Sequence, residues 1–141
     1  MREKLGKYEL IRRIGGGSYG LVYEAFDPHL KRPVAIKICT SRDETARQRF
    51  YREAEIAGNL VHPNITTVHD FGIQDDVPFL VEEYLEGEDL DQVIQRRAPL
   101  LLEQKLDYLL QIASGLDHAA LTPLPPHRAA TRKRVYCGLA S

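Results

Sequence analysis

Residues Gly15-Gly16-Gly17-Ser18-Tyr19-Gly20 form the densest glycine cluster in the chain. Without Cβ atoms in the way, backbone N–H groups of such a loop can approach an anion closely, and phosphate suits that geometry. Spacing alone does not decide the matter, because a plain hairpin turn has the same composition. Context narrows it: a dinucleotide-binding glycine turn opens a helix and a Walker A loop continues into Gly-Lys-Ser/Thr, whereas here a strand-like run, residues 21–26, follows. A second candidate is Lys37, a cation within Val34-Ala35-Ile36-Lys37-Ile38-Cys39; taken alone, a strand lysine is ordinarily exposed. The third is Glu53, an acid inside an otherwise apolar stripe, where a desolvated carboxylate needs a partner.

The elements that must position these residues follow from the hydrophobic period. Residues 8–14 and 21–26 read as strands flanking the glycine loop, and Asp27-Pro28 closes the second. In 34–39 a period of two puts Val34, Ile36 and Ile38 on one face and Ala35, Lys37 and Cys39 on the other. Over 43–61 the period becomes helical, with Phe50, Ala54, Ala57, Leu60 and Val61 in one stripe; Glu53 lies within it and Glu55 points away. His62-Pro63-Asn64 ends that helix. Two strands follow, 65–71 and 78–85, joined by Gln74-Asp75-Asp76, then a short helix over 89–97 with Leu90, Val93 and Ile94 on one side and a longer one over 102–119. The longer one carries Leu106, Leu109, Leu110, Ile112, Ala113 and Leu116 in a wide stripe.

Composition bounds the rest. With 141 residues, 43% hydrophobic and 28% charged, the chain has room for one globular domain and is not a disordered or fibrous sequence. A net charge of −1 offers no global field for nucleic acid, and no apolar run reaches the ~20 residues that span a bilayer. Neither a nucleic-acid nor a membrane partner is therefore expected. The start lacks a signal-like apolar segment, and Cys39 and Cys137 read as free thiols, so the expected location is cytoplasmic. The charge is unevenly spread: residues 1–117 carry −5, and residues 118–141 carry +4 with no acid at all.

Together, the glycine loop with Val22, the strand Val34-Ala35-Ile36-Lys37, Glu53 on its helix before His62-Pro63-Asn64-Ile65, and Phe79-Leu80-Val81-Glu82-Glu83-Tyr84-Leu85-Glu86-Gly87 resemble the protein kinase set. The flavour is that of bacterial serine/threonine kinases, and the resemblance covers residues 8–119. It implies an α+β fold: a five-stranded antiparallel sheet with one αC-type helix (N-lobe and hinge, 8–86), followed by two helices that begin an incomplete helical lobe (87–119). It also implies ATP as ligand, Mg²⁺ as the family's ion, and protein Ser/Thr hydroxyls as acceptors. Position by position, Gly15, Gly17 and Gly20 would cover the phosphates. Ile14 and Val22 would roof the adenine above Ala35, and backbone groups of Glu83 and Leu85 would bind its edge. Lys37 would hold the α/β-phosphates and pair with Glu53 as the surviving catalytic pair.

Departures matter as much. Glu82 stands at the family's gatekeeper position; it could compete with Glu53 for Lys37, be protonated by burial, or turn aside to water. Asp70-Phe71-Gly72 spells the family's magnesium motif but precedes the hinge, so it is read as a strand end with no metal role. Near the expected catalytic loop stands His127-Arg128-Ala129-Ala130-Thr131-Arg132-Lys133-Arg134, with Ala129 in place of the base, Arg134 in place of the asparagine, and no later Asp-Phe-Gly. No metal ligand is expected here. Residues 120–141 read as a disordered Pro/Arg-rich tail of the kind a lost reading frame produces, or as a PxxPxR ligand, Pro123-Leu124-Pro125-Pro126-His127-Arg128. Two functions compete: the ATP-binding part of a kinase, inactive alone, or a pseudokinase-like module that holds nucleotide or docks to a kinase. The leucine stripe of 102–119 would normally face the missing lobe and is expected to leave an apolar patch that drives self-association or degradation.

Overall fold

The computed structural model describes residues 3–17 and 20–122. Of the expected tail 120–141, residues 120 and 121 are helical instead, and the part from 123 on, with Cys137 and the PxxPxR pattern, lies outside the described residues, as do Ser18 and Tyr19. The chain forms two compact units: one combines the residues up to Asn59 with Thr67–Leu85, and the other combines Leu60–Thr66 with the residues from Glu86 on.

The first unit is an antiparallel sheet of β1 (Lys4–Leu5), β2 (Tyr8–Gly17), β3 (Gly20–Asp27), β4 (Arg32–Ile38), β5 (Val68–Gln74) and β6 (Val77–Glu83), in the order β1-β2-β3-β4-β6-β5. Six strands stand where five are expected. The extra one, β1, is two residues long, too short to show a period, yet it seats Leu5 in the core beside Tyr8. The sheet has two different faces. Val34 and Ile36 lie on one, fully buried with Ala25, Phe79 and Val81, as the period of two requires. On the other, Cys39 and Leu80 pack with Phe50 of α1 (Glu44–Gly58).

Asp43 caps α1, its carboxylate accepting from the Ala46 N–H at 2.8 Å. The helix stops at Gly58, so Val61 is not part of its apolar stripe: it is 78% exposed, whereas Phe50, Ile56 and Ala57 are buried. The next strand also begins later than the spacing predicts, at Val68 rather than 65, because His62–Ile65 first closes a turn. In that turn the Ile65 N–H donates to the His62 carbonyl at 3.0 Å. Its partner β6 ends at Glu83, so Tyr84 and Leu85 lie beyond the sheet rather than in the expected strand. Between them Asp75 and Asp76 both take positive φ, 50° and 62°, the two-residue turn whose twist suits a hairpin.

The second unit holds α2 (Leu90–Gln95) and α3 (Leu102–Leu121). Asp89 and Gln92 form a reciprocal cap on α2, which buries Val93 but leaves Ile94, expected on the same face, 69% exposed. In α3 the buried positions are Tyr108 and Gly115, while the leucines point outward: Leu106 is 50%, Leu109 62%, Leu110 70% and Leu116 56% exposed. What holds the inward side is polar. The Asn64 side-chain amide donates to Gln111 Oε1 at 3.0 Å, the Ser114 hydroxyl lies 3.2 Å from His62 Nε2, and the rings of His62 and His118 stack at 5.0 Å. Among the described residues no helix is long and apolar enough to cross a membrane.

The turn after β3 depends on Asp27, whose carboxylate is 2% exposed, accepts the N–H groups of His29 and Leu30, and pairs with Lys7 at 3.2 Å. Burial pushes its pKa up, but the Leu30 N–H, the Lys7 ammonium and the His29 N–H outweigh burial and hold it below the ordinary 3.8. A carboxyl so held binds its proton more weakly folded than unfolded. Its stabilisation is therefore complete above about pH 4 and drains away as pH falls through the folded value. Asp27→Asn is expected to cost about 1–3 kcal/mol at pH 7 and to flatten the fall of stability below pH 4, as read by urea unfolding across pH. An unchanged acid limb would remove Asp27 as its source.

Candidate functional site

Register explains how the candidate residues come together. Partners in an antiparallel ladder share a face, so Gly15, Val22, Lys37, Leu80 and Phe71 form one cross-strand row. The adjacent row runs Arg12, Glu24, Ala35, Glu82 and Val68. Both lie on the face that α1 covers in part. Ala35 is 9% exposed and Val22 half-buried, so the middle of the face is an apolar floor with a lysine standing in it.

Lys37 finds the partner that its position demands. Its ammonium lies 2.5 Å from Glu53 Oε1, with both side chains about three-quarters buried, and 5.7 Å from the centre of the Phe50 ring. Two facts of sequence make this possible: the odd positions of β4 face α1, and Glu53 follows Phe50 by three residues on the inward side of that helix. Glu55 is exposed, as the wheel predicts.

The glycines occupy the end of the β2–β3 hairpin, where Gly17 pairs with Gly20 and Gly15 with Val22. Gly20 has φ of 158°, and a Cβ there would run into the carbonyl oxygen of Ile38, so this position has room for no side chain. At Gly17 a Cβ would meet nothing within 4 Å among the described residues. Ile14 sits at an irregularity of β2 between Arg13 and Gly15 and is 40% exposed, an apolar side chain unused by the core.

At the end of β6 the Glu83 N–H donates to the Thr67 carbonyl at 2.9 Å, which limits Glu83 to its carbonyl as a partner for a base. Leu85, two residues on, is half-buried. Glu82 is also half-buried and shares the face of Ala35 and Lys37 by register, so it does not turn fully to water. Lys37 nevertheless bonds Glu53.

Asp70-Phe71-Gly72 has a structural reason at each position. Asp70 accepts from the Tyr8 hydroxyl at 2.9 Å; burial first, and then this bond, push the Tyr8 pKa up. Phe71 packs against the rings of Phe50 and Tyr51, at 6.4 and 5.6 Å. Gly72 admits the ring of Phe79, which a Cβ would strike. This acid belongs to the outer strand β5 and not to the row of Lys37. It does not stand where the resemblance puts a Mg²⁺ ligand, and the residues that hold the ion in the family belong to a part of the domain beyond the matched residues 8–120.

Sequence spacing missed Arg12, Glu24 and Tyr84. Arg12 pairs with Glu24 at 2.7 Å, and the Tyr84 hydroxyl donates to the same Glu24 oxygen at 3.3 Å. Only the register of β2 and β3 places Arg12 and Glu24 in the row of Ala35, and no local pattern announces it.

Residues 8–120 match the protein kinase domain family. Over 117 residues the chain is 42% identical to the serine/threonine-protein kinase PrkC of Bacillus subtilis (strain 168), an alignment covering 81% of this chain and 18% of that protein. It is also 42% identical over 117 residues to the serine/threonine-protein kinase PknH of Mycobacterium tuberculosis (strain ATCC 25618 / H37Rv), covering 81% and 19% respectively. In three dimensions it is similar to the crystal structure of the M. tuberculosis PknI kinase domain, with a TM-score of 0.67 at 32% identity, over 80% of this chain and 47% of that one. The chain thus spans about a fifth of the length of these curated relatives and about half of a solved kinase domain. A match that runs from the first long strand to the last described helix, on a sheet of the same fold, leaves one conclusion: this chain belongs to the protein kinase family, close to the bacterial serine/threonine kinases, and carries the N-terminal part of the domain.

Proposed function

We propose that the chain is the ATP-binding part of a serine/threonine protein kinase and that by itself it binds nucleotide without transferring phosphate. The observation that carries this reading is the Lys37–Glu53 pair, already formed at 2.5 Å. An ammonium anchored from one side by a carboxylate stands at a fixed place with donors left over for phosphate oxygens. The N–H groups of the glycine hairpin would cover those phosphates, Ile14, Val22 and Ala35 would enclose the base, and the backbone of Glu83 and Leu85 would meet its edge. Transfer to a protein hydroxyl needs a positioned base and metal-held phosphates, and the residues at the corresponding places here are Ala129 and Arg134. The second reading, a pseudokinase-like module that holds nucleotide or docks to another kinase, shares this chemistry and differs only in the role of the bound state. Both readings place the module in the cytoplasm, where ATP is available and the buried Cys39 thiol stays reduced.

We further propose that a second copy of the chain covers the outward face of α3. Leu102, Leu106, Leu109 and Leu116, with Ala113 and Ala120, recur at alternating steps of four and three, the seven-residue repeat of helices that pair lengthwise. Leu102, Leu106, Leu109, Leu110 and Leu116 are each at least half exposed, so the strip offers a twin helix a continuous apolar surface to bury.

Lys37→Ala is expected to weaken ATP binding about 10–100-fold, measured by calorimetry, while γ-phosphoryl transfer to a generic protein acceptor stays at the level of the blank for both forms. A rate that depends on Lys37 would overturn the inactive reading. Glu82→Met removes a carboxylate from the face that receives the phosphates, and ATP affinity is expected to rise about two- to fivefold; unchanged affinity would show that Glu82 does not face the nucleotide. In analytical ultracentrifugation the mass of the chain should rise with concentration, and Leu109→Glu combined with Leu116→Glu should return it to a monomer. A wild-type chain that stays monomeric throughout would dispose of the interface.

A further inference from the structure

We infer that Arg12, Glu24 and Tyr84 form a positioning network that holds the backbone of Tyr84 and Leu85 in place for the nucleobase, an inference that rests on the nucleotide reading above. Tyr84 is the first residue beyond the sheet, so ladder bonds no longer fix it. Yet its side chain reaches back across β4 to β3, where its hydroxyl donates to Glu24 Oε2 at 3.3 Å. The same oxygen takes the Arg12 guanidinium at 2.7 Å, and Arg12 also donates to the Tyr84 hydroxyl at 3.5 Å. Three residues separated by 60 and 72 positions in sequence thus close a ring of bonds over β2, β3 and the segment after β6.

Three features say that this ring does more than decorate the surface. Glu24 is only 18% exposed at its side chain while Arg12 is 63% exposed, so the carboxylate is the inner member and the guanidinium covers it from solvent. Glu24 pairs with Ala35 in the ladder, on the face where the base would lie, and Ala35 is the smallest side chain in that row. The network therefore anchors the segment at the edge of that floor without filling it. The Arg12–Glu24 contact at 2.7 Å is a charge-assisted bond of the stronger kind, and the longer contacts of the Tyr84 hydroxyl to both of its members tie the ring to that pair. A backbone whose side chain is fixed in this way presents its carbonyl and N–H at a constant angle, which removes an ordering cost from base binding.

The test compares the full chain with Tyr84→Phe, Glu24→Ala and the double variant, using ADP and inorganic tripolyphosphate as probes. ADP affinity is expected to fall about tenfold in each single variant and little further in the double, because both act on one ring. Tripolyphosphate affinity and the thermal midpoint should stay at wild-type values. The ¹⁵N order parameters of Tyr84 and Leu85 should drop from about 0.85 toward 0.6 while those of β4 hold. Equal losses for both probes, or a midpoint that falls with them, would make the ring a fold brace and overturn the inference. Wild-type order parameters at Tyr84 and Leu85 in the variants would overturn it whatever ADP does. If the unaltered chain bound neither probe, the nucleotide reading would fail by itself, and the order parameters would still decide whether the ring positions the segment.

Discussion

A lysine one residue from the end of an inner strand, on a face that a helix covers, has to be compensated, and the pairing of Lys37 with Glu53 is the constraint on which the rest of this structure turns. An unpaired charge at that depth would cost several kcal/mol. The pair forms only if β4 keeps its register and α1 presents one inward edge, because a slip of one residue in β4 would send Lys37 into the apolar side occupied by Val34 and Ile36. Packing protects that register from both directions. Ile36 and Val34 are fully buried behind the strand, and Phe50 and Leu80 flank the ion pair in front.

Polar groups elsewhere in the first unit serve geometry rather than chemistry. Asp27 organises the turn after β3, Asp70 secures the Tyr8 hydroxyl, and Asp76 takes both a backbone and a side-chain bond from Arg47 at the far hairpin. Each bond joins segments distant in the chain or closes a turn that a strand cannot close for itself. The acid of Asp70-Phe71-Gly72 shows why a three-residue motif carries little information: its chemistry depends on which strand holds it and which way that strand faces.

The second unit inverts the usual amphipathic rule. The side of α3 that meets its own unit is built from Tyr108, Gln111, Gly115 and His118, tied by amide, hydroxyl and imidazole contacts to Asn64 and His62. The leucines lie opposite. A helical wheel identified the stripe correctly, but a wheel cannot say which neighbour an apolar face meets. The same limit applies to Ile94, which lies within α2 and is exposed although it fits an apolar pattern, whereas Val61 is exposed because α1 ends before the pattern does.

Local pattern was enough for the strands β2, β3, β4 and β6, the three helices, the inward direction of Glu53 and the opposed faces of β4, since these follow from periods of two and 3.6 and from the residues that break them. It was not enough for β1, whose two residues carry no period, nor for the start of β5, which the turn at His62 displaced. The sequence by itself determined the family and the identity of the lysine, the acid and the glycines, because those residues are fixed by chemistry and by short-range spacing. The tertiary structure alone decided that Arg12, Glu24 and Tyr84 belong together, that Glu82 shares the lysine's face, and that Asp70 faces a tyrosine. Those relations are long-range pairings, set by strand register and by what each face packs against, and no stretch of contiguous sequence encodes them.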